Sequence, residues 1–556
     1  MKGAGVQRRH FRRYETIVQV LVRHGFLYVV DTLGLGPLVG AAGRLAHGRG
    51  AAGRNVDANW AERVTEVLTE LGPTFVKLGQ LASTRTDILP AELVAALESL
   101  QDAVPPFGFA TVNRILHSAW GEEPAQVVEL DPTPLAAASI GQVHTGRLPG
   151  GSAVVVKVRR PGIVPQARTD FEILANLAEL AERRTEWGRR YGLTLLVEEL
   201  VHTMEDEMDF TMEGRYTDQA RRQASDQVLI PAVHWRWTRP DVLMVERLEG
   251  IKIVTGASIR EAGLDPARLA ALAVETMFRQ IFVDGFFHAD PHPGNVHAAA
   301  DGRLIMLDWG MVGHLSPPMR ARSVDLLLGM VQRRADRVVT ALLRMGVVDQ
   351  AVDRDRLTRD VERLRRRYYE TSLASFSLGQ ALTDLFGLAA RYRIRIPGEY
   401  ALVAKTAVTL DGLVRRLDPR GSLVEYGRRL APELIWSRYG PQYWRDRLLD
   451  DVQRWEQVLE DLPESTERLL DRIQRGELHI LLEHKNLDGI MAHWERLANR
   501  LGLSWLLGAV IVGSALVLQP GRLLDLAGIP VGEYAFLAAV ALALWVVIGA
   551  IRRGRL

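Results

Sequence analysis

Two carboxylates and a carboxamide stand at kinase spacing in the segment His288-Ala289-Asp290-Pro291-His292-Pro293-Gly294-Asn295 and the later Asp308-Trp309-Gly310. Asp290 precedes Asn295 by five positions, as in the kinase catalytic loop H-R-D-x-x-x-x-N, and Asp308-Trp309-Gly310 takes the place of D-F-G. In such a loop the first Asp faces the phosphoryl acceptor, while the Asn and the second Asp hold Mg²⁺ against the nucleotide phosphates. Plainer readings exist. Pro-x-Pro-Gly-Asn is turn chemistry in any protein, and an Asp beside a Gly commonly serves a turn. A metallohydrolase is the chemical rival: His288, Asp290 and His292 alternate, so an extended segment would point all three to one side, where they could hold zinc.

Upstream elements favour the nucleotide. Ala136-Ala137-Ala138-Ser139-Ile140-Gly141-Gln142-Val143 leads into an apolar run, Pro149-Gly150-Gly151-Ser152 makes a turn, and Ala153-Val154-Val155-Val156-Lys157-Val158 follows. Two strands joined by a Pro/Gly turn reproduce the hairpin that covers a nucleotide, with Lys157 at the lysine of a V-A-I-K strand and in reach of the phosphates. A strand lysine taken alone more often protects a sheet edge. A lysine buried among valines needs a carboxylate to offset desolvation, and the helical stretch from Glu198 to Arg222 offers several. The loop departs from kinase habit, because Ala136, Ala137 and Ala138 carry Cβ atoms that close much of the backbone space glycines leave open. It should grip phosphates differently from a glycine-rich loop.

Taken in order, Lys77-Leu78-Gly79-Gln80 (K-x-G-Q), the alanine-rich loop, Glu207-Met208-Asp209 (E-x-D), the His288–Asn295 string and Asp308-Trp309-Gly310 resemble the UbiB/ADCK (ABC1-type) family of atypical kinase-like proteins. The resemblance implies an α+β, two-lobed kinase-like fold with an N-terminal helical extension and a C-terminal transmembrane helical hairpin. It also implies that Glu213, four residues after the E-x-D aspartate, pairs with Lys157. Lys77 and Gln80 then belong to the extension that folds over the cleft, held there with the help of Glu207 and Asp209, as a regulatory cover. Asp290, Lys157 and Glu213 become the catalytic set, residues 136–143 with Lys157 the nucleotide site, and Asn295 with Asp308 the metal ligands. Expected cofactors are ATP or ADP with Mg²⁺. The family's association with isoprenoid quinone biosynthesis implies an ATPase or small-molecule kinase, with quinone precursors and quinone-biosynthesis enzymes as partners. A non-catalytic, ATP-gated scaffold that recruits such enzymes is the alternative. Trp309 stands where the family commonly has Phe and keeps an aromatic there.

Boundaries follow from the motifs and composition: an extension over 1–124, a small and mostly β lobe over 125–250, a helical lobe over 251–420, an amphipathic helical region over 421–499 rich in alternating Arg, Asp, Glu and Leu, and a hairpin over 500–556. With 556 residues, 47% of them hydrophobic, a large core is within reach. Lys and Arg number 69 against 67 Asp and Glu, a net +2 that points to no nucleic acid. Cysteine is absent, which excludes disulfides and thiol catalysis.

Both ends carry membrane expectations. Residues 501–521 and 534–551 contain no charged residue, and each run is long enough to cross a hydrocarbon core as a helix. Arg496 and Arg500 precede the first, and Arg552, Arg553 and Arg555 follow the second, so the positive-inside rule places both termini and the catalytic region in the cytoplasm, on a multi-pass protein of the cell membrane. Gly502, Gly508 and Gly513 with Ser504 and Ser514 allow close helix packing within the hairpin or across a homodimer. At the other end Lys2, Arg8, Arg9, Arg12 and Arg13 precede Ile17–Val22, a run too short for a secretory signal. A solvated basic tail is the ordinary reading; contact with anionic lipid is the functional one.

Overall fold

The computed structural model describes residues 2–36, 60–83, 85, 89–100, 104–348, 352–369 and 377–428, with the short pieces 525–526, 529–530 and 541. The chain divides into two units, Met1–Arg447 and Leu448–Leu556. In the second, Asp525–Leu526 pairs antiparallel with Ile529–Pro530, within the connection expected between the two apolar runs. Those runs, residue 541 apart, and the amphipathic region past 428 lie outside the described residues. Among the described residues no helix is long and apolar enough to cross a membrane.

In the first unit, valine alternation builds the small lobe. Along the strand Ala153–Arg159, Val154, Val156 and Val158 are fully buried on one face, which turns Val155, Lys157 and Arg159 to the other. The strand pairs antiparallel with Gly141–Arg147 on one side and Val242–Glu246 on the other, so Lys157 is central in its sheet and edge protection does not explain it. The valine face is covered by the helix Phe109–Trp120, which buries Val112, Leu116 and Trp120 there. This helix falls in the N-terminal stretch by sequence, yet it completes the core of the small lobe.

The span 125–250 is not mostly β as expected. Between the strands Ala153–Arg159 and Val242–Glu246 the chain forms four helices, Ile163–Arg184, Glu186–Tyr191, Leu193–Met208 and Phe210–Gln223. The reason is periodicity: in the first of them Ile163, Ala167, Asp170, Phe171, Ala178 and Ala181 are buried, a helical stripe in an otherwise charged sequence. The N-terminal helix Lys2–Arg23 docks on it. Ile17, Val18, Val20 and Val22 are buried, and Arg13 donates to Asp170 at 2.7 and 3.1 Å and to the carbonyl of Leu71 at 2.8 Å. Arg13 and the apolar run are therefore an anchor, not part of a solvated tail.

The second lobe is built from helices, among them Pro266–Phe278, Pro317–Val331, Ala335–Met345, Leu378–Arg391 and Gly398–Leu417, whose apolar faces share one core. Two short antiparallel pairs project the kinase-like loops from it: Phe286–His288 with Val312–His314, and Val296–Ala298 with Leu304–Met306. These two pairs hold Asp290, Asn295 and Asp308 at their ends.

Candidate active site

A single cleft with a cavity of about 2230 Å³ is lined by Lys77, Gln80, Lys157, Asp290, Asn295 and Asp308 together. The Lys157 Nζ donates to Glu213 Oε2 at 2.8 Å and lies 3.9 Å from Asp308 Oδ1, with the Phe210 ring centroid 5.1 Å away. Glu213 is positioned by the helix Phe210–Gln223. Asp209 caps that helix, accepting from the Thr211 backbone N–H at 2.9 Å and from its hydroxyl at 2.7 Å. The E-x-D aspartate thus fixes the start of the helix that carries Glu213, whereas the resemblance had it holding the extension; that contact falls to Glu207, which forms an ion pair with Lys77.

Two carboxylates compete for one ammonium. Burial opposes charge on Lys157, but the carboxylates of Asp308 and Glu213 outweigh it and hold its pKa above the ordinary lysine range. Asp308, drawn chiefly by the Lys157 charge, is held down to about 2. Burial pushes Glu213 up to about 7 despite its bond to Lys157, with the nearby Asp308 charge adding to the rise. Asp308 also has φ of 51°, a left-handed conformation uncommon for a residue with a Cβ and characteristic of functional sites. A Cβ on Gly310 would stand 3.1 Å from Asp308 Oδ1, so glycine keeps that carboxylate uncrowded.

The catalytic-loop segment is held by its histidine. His288 is fully buried, its Nε2 is 2.9 Å from the Leu307 carbonyl, and its Nδ1 accepts from the Asp290 N–H at 3.1 Å. Burial lowers its pKa, and a neutral ring with hydrogen on Nε2 satisfies both bonds. One side chain therefore links the backbone just before Asp308 to that of Asp290. The Trp309 ring packs 4.8 Å from the His288 ring and stacks on Phe286 at 5.9 Å. Asn295 Nδ2 donates to the Asp290 carbonyl at 3.3 Å, a bond that uses the amide nitrogen and not its oxygen. An amide oxygen and a half-exposed carboxylate kept ionised are hard donors that suit Mg²⁺. The zinc alternative fails on geometry: His288 is committed to the backbone, His292 Nδ1 accepts from the Gly294 N–H at 2.9 Å, and among the described residues no three His, Cys, Asp or Glu gather as a metal site.

The small-residue loop is tighter than its sequence indicated. Ala136 and Ala137 pair with Val143 and Gln142 as a short strand, leaving Ala138, Ser139 and Ile140 as the turn. Ala136, Ala138, Ile140, Gly141 and Val143 line the cleft, while Ala137 does not; Ser139 and Gln142 are buried at 1% exposure. Gln142 instead bonds both backbone groups of Phe107, at 2.9 and 3.1 Å, and so clips the N-terminal stretch to the sheet. Gly141 serves packing, since a Cβ there would come within 2.6 Å of the Val158 carbonyl. Arg160, which sequence reasoning passed over, donates to the carbonyls of Ala138 at 3.2 Å, Ser139 at 3.3 Å and Pro105 at 3.1 Å, and pins the turn. Only its place directly after the strand could have drawn attention to it.

The extension reaches the cleft through the helix Pro73–Ala82, where Leu78 and Leu81 pack on Ile140, Phe171, Met208 and Phe210. Gln80 Nε2 donates to the Leu100 carbonyl at 3.1 Å. A lysine–glutamate pair between strand and helix, a D-x-G aspartate and a five-residue Asp-to-Asn loop facing one cavity define a kinase-like nucleotide cleft. Comparison with known proteins agrees. Residues 99–342 match the ABC1 atypical kinase-like domain, 361–421 the UbiB helical domain and 485–552 the ABC1/UbiB kinase-like C-terminal domain. The chain is 33% identical over 446 residues to the uncharacterized protein sll1770 of Synechocystis sp., covering 79% of this chain and 76% of the relative. Among solved structures, the Rv3197–erythromycin complex from Mycobacterium tuberculosis is similar at 24% identity and a TM-score of 0.43, over 63% of this chain and 90% of that one. The chain belongs to the UbiB/ADCK, or ABC1-type, family of atypical kinase-like proteins.

Proposed function

We propose that this chain is a membrane-anchored atypical kinase or ATPase that supports isoprenoid quinone biosynthesis, ubiquinone or menaquinone, by Mg-ATP-dependent phosphoryl transfer or hydrolysis. The observation that carries the catalytic part is the Lys157–Glu213 bond at 2.8 Å with Asp308 Oδ1 3.9 Å from the same ammonium, in a cleft shared with Asp290 and Asn295. Lys157, oriented by Glu213, neutralises phosphate charge. Asn295 and Asp308 would hold Mg²⁺, which when bound screens the phosphates and polarises the terminal one. Asp290 orients or deprotonates the acceptor, water or a small polar lipid precursor. Fixed charge around the transferring group supplies most of the rate effect.

The membrane part rests on the two uncharged runs, 501–521 and 534–551, and their arginine brackets, with both termini and the catalytic region at the cytoplasmic face. Membrane lipids, quinone precursors and quinone-biosynthesis enzymes are the partners, and the glycines of the first run fit a homodimer. The test is Mg-ATP turnover by the purified protein, with and without anionic liposomes and quinone-like phenols. Asp308→Asn should abolish turnover while melting cooperatively, and retained turnover would remove Asp308 from the mechanism. A second reading, the ATP-gated scaffold, is favoured by the alanine turn, whose Cβ atoms keep backbone from closing on the phosphates. Nucleotide binding without turnover in every lipid and phenol condition would decide for it.

A further inference from the structure

Lys405 stands out among the cleft residues because nothing in the fold requires an ammonium there. It sits in the helix Gly398–Leu417 as the lone charge within Ala401-Leu402-Val403-Ala404-Lys405-Thr406-Ala407-Val408, a stretch whose Val403, Ala404 and Ala407 feed the core of the large lobe. The side chain is half-buried, lines the same cavity as Asp290 and Asn295, and faces Asp290, Lys77, Glu98 and Glu207. Among the described residues no carboxylate forms an ion pair with it. Burial holds its pKa below the ordinary lysine range. Leaving an ammonium partly desolvated without a bonded partner opposes folding, where a well-packed apolar side chain would not.

Its place relative to the acceptor side is fixed. The neighbouring Thr406 is fully buried, and its hydroxyl donates to the Ala289 carbonyl at 3.2 Å, one residue before Asp290. The helix is thus tied to the catalytic loop at the residue beside Lys405. The loop itself, 288–295, contains no lysine or arginine, and His292 turns back on its own backbone. Lys157 enters from the opposite lobe, against Glu213 and Asp308.

We propose that Lys405 is a second phosphate-binding cation, contacting the transferring phosphoryl group from the acceptor side while Lys157 holds the nucleotide side. This rests on the phosphoryl-transfer reading above. In the step, an acceptor oxygen bonds to the terminal phosphorus as the bond from that phosphorus to the ADP oxygen breaks. The acceptor proton passes to Asp290, and the charge on the phosphoryl oxygens is shared between Lys405 and Lys157.

The experiment compares Lys405→Met, Lys405→Arg and Lys77→Met with the parent, measuring Mg-ATP turnover, binding of a fluorescent non-hydrolysable ATP analogue, and trypsin cleavage in the extension. Lys405→Met should lower kcat by about 100-fold or more, with analogue affinity within about threefold of the parent because the Lys405 contact strengthens as charge shifts in the transition state while Lys157 still holds the bound nucleotide. Lys405→Arg should recover at least about a tenth of the parental kcat, which a role in shape alone would not give. Turnover of Lys405→Met within about threefold of the parent overturns the proposal and leaves the enzymatic reading intact. So does a Lys405→Met variant whose extension becomes as trypsin-sensitive as that of Lys77→Met and whose kcat changes only as much as that variant's, since Lys405 would then only seat the extension against Glu98 and Glu207. A parent that binds the analogue and never turns over ATP overturns the enzymatic reading itself, and this proposal with it.

Discussion

Glu213→Gln should raise the stability of the nucleotide-free protein relative to the parent as pH climbs through neutrality, while destroying its chemistry. Glu213 is 9% exposed at its side chain and its pKa rises from 4.5 to about 7. A group whose pKa is raised on folding contributes stability that is fully present below its unfolded value and lost as pH climbs through the folded one. For Glu213 the loss runs from about pH 4.5 to pH 7. A rise of about 2.5 pH units, at about 1.4 kcal/mol each, is worth about 3 kcal/mol above pH 7, and most of it appears between pH 5 and 8. Glutamine keeps the shape and a hydrogen-bond acceptor for Lys157 without the charge. Asp308, held near 2, titrates below this window, and Lys157, raised, titrates above it. The histidines His288, His297 and His314, all lowered by desolvation, contribute a slope of the opposite sign that parent and variant share. Urea unfolding followed by tryptophan fluorescence at pH 5, 6, 7 and 8 gives the difference curve. The variant should gain about 2 to 3 kcal/mol on the parent between the ends of that range. A flat difference, or a parent that gains on the variant with rising pH, would refute the claim that burial outweighs the Lys157 contact at Glu213.

Removing Lys77 with Lys77→Ala breaks the ion pair to Glu207 and should change the preference between ATP and ADP or expose autophosphorylation, read by analogue binding and by labelling with radioactive ATP; behaviour identical to the parent counts against a covering role. Arg13→Ala leaves Asp170, which is fully buried and already raised by burial, without its guanidinium; unfolding free energy should fall by about 3 kcal/mol, with Asp170→Asn recovering part of it in the double variant. Nucleotide affinity should depend steeply on divalent cation, falling at least about tenfold when EDTA replaces Mg²⁺ in calorimetric titration, and cation-independent binding would contradict the assignment of Asn295 and Asp308.

What could be read from the chain tracks what spacing encodes. Asp290, Asn295 and Asp308 are locked to short local motifs, and the valine alternation that exposes Lys157 on one sheet face is a period-2 pattern, so the nucleotide side of the cleft was legible without coordinates. The partner glutamate came from the family resemblance, and the cap that Asp209 gives its helix came only with the structure. Lys405, Arg160 and Gln142 were not legible for one physical reason. Each is a single polar side chain in a segment whose periodicity reports only burial, and each acts on residues distant in sequence: Lys405 faces Asp290, Arg160 holds Pro105, and Gln142 holds Phe107. The small lobe holds more helix than expected: the stretch from Glu198 to Arg222 read as helical, while Ile163–Arg184 and Glu186–Tyr191 carry ordinary amphipathic sequence and the strands carry the recognisable residues. The assignment of Phe109–Trp120 to the extension failed similarly, since no local signal says which sheet an apolar helix face will cover.

The charges around the reacting end explain why these pieces belong together. Lys77, Lys157 and Lys405 converge there with Glu98, Glu207, Glu213, Asp290 and Asp308, so that five carboxyl groups face three ammonium groups next to the reacting end. On the proposed reading, a divalent cation bound with the nucleotide relieves this local excess. Asp308 faces the side where the cation belongs, and the rise of Glu213 reflects burial and the unbalanced charge of Asp308 beside it. The extension contributes to both sides of the account, a cation in Lys77 and a carboxylate in Glu98, and so cannot be moved without changing the field at Asp290 and Lys405. On the proposed reading, cover and chemistry are coupled through shared charges, which would give the K-x-G-Q helix a physical route to regulation that needs no separate signalling path.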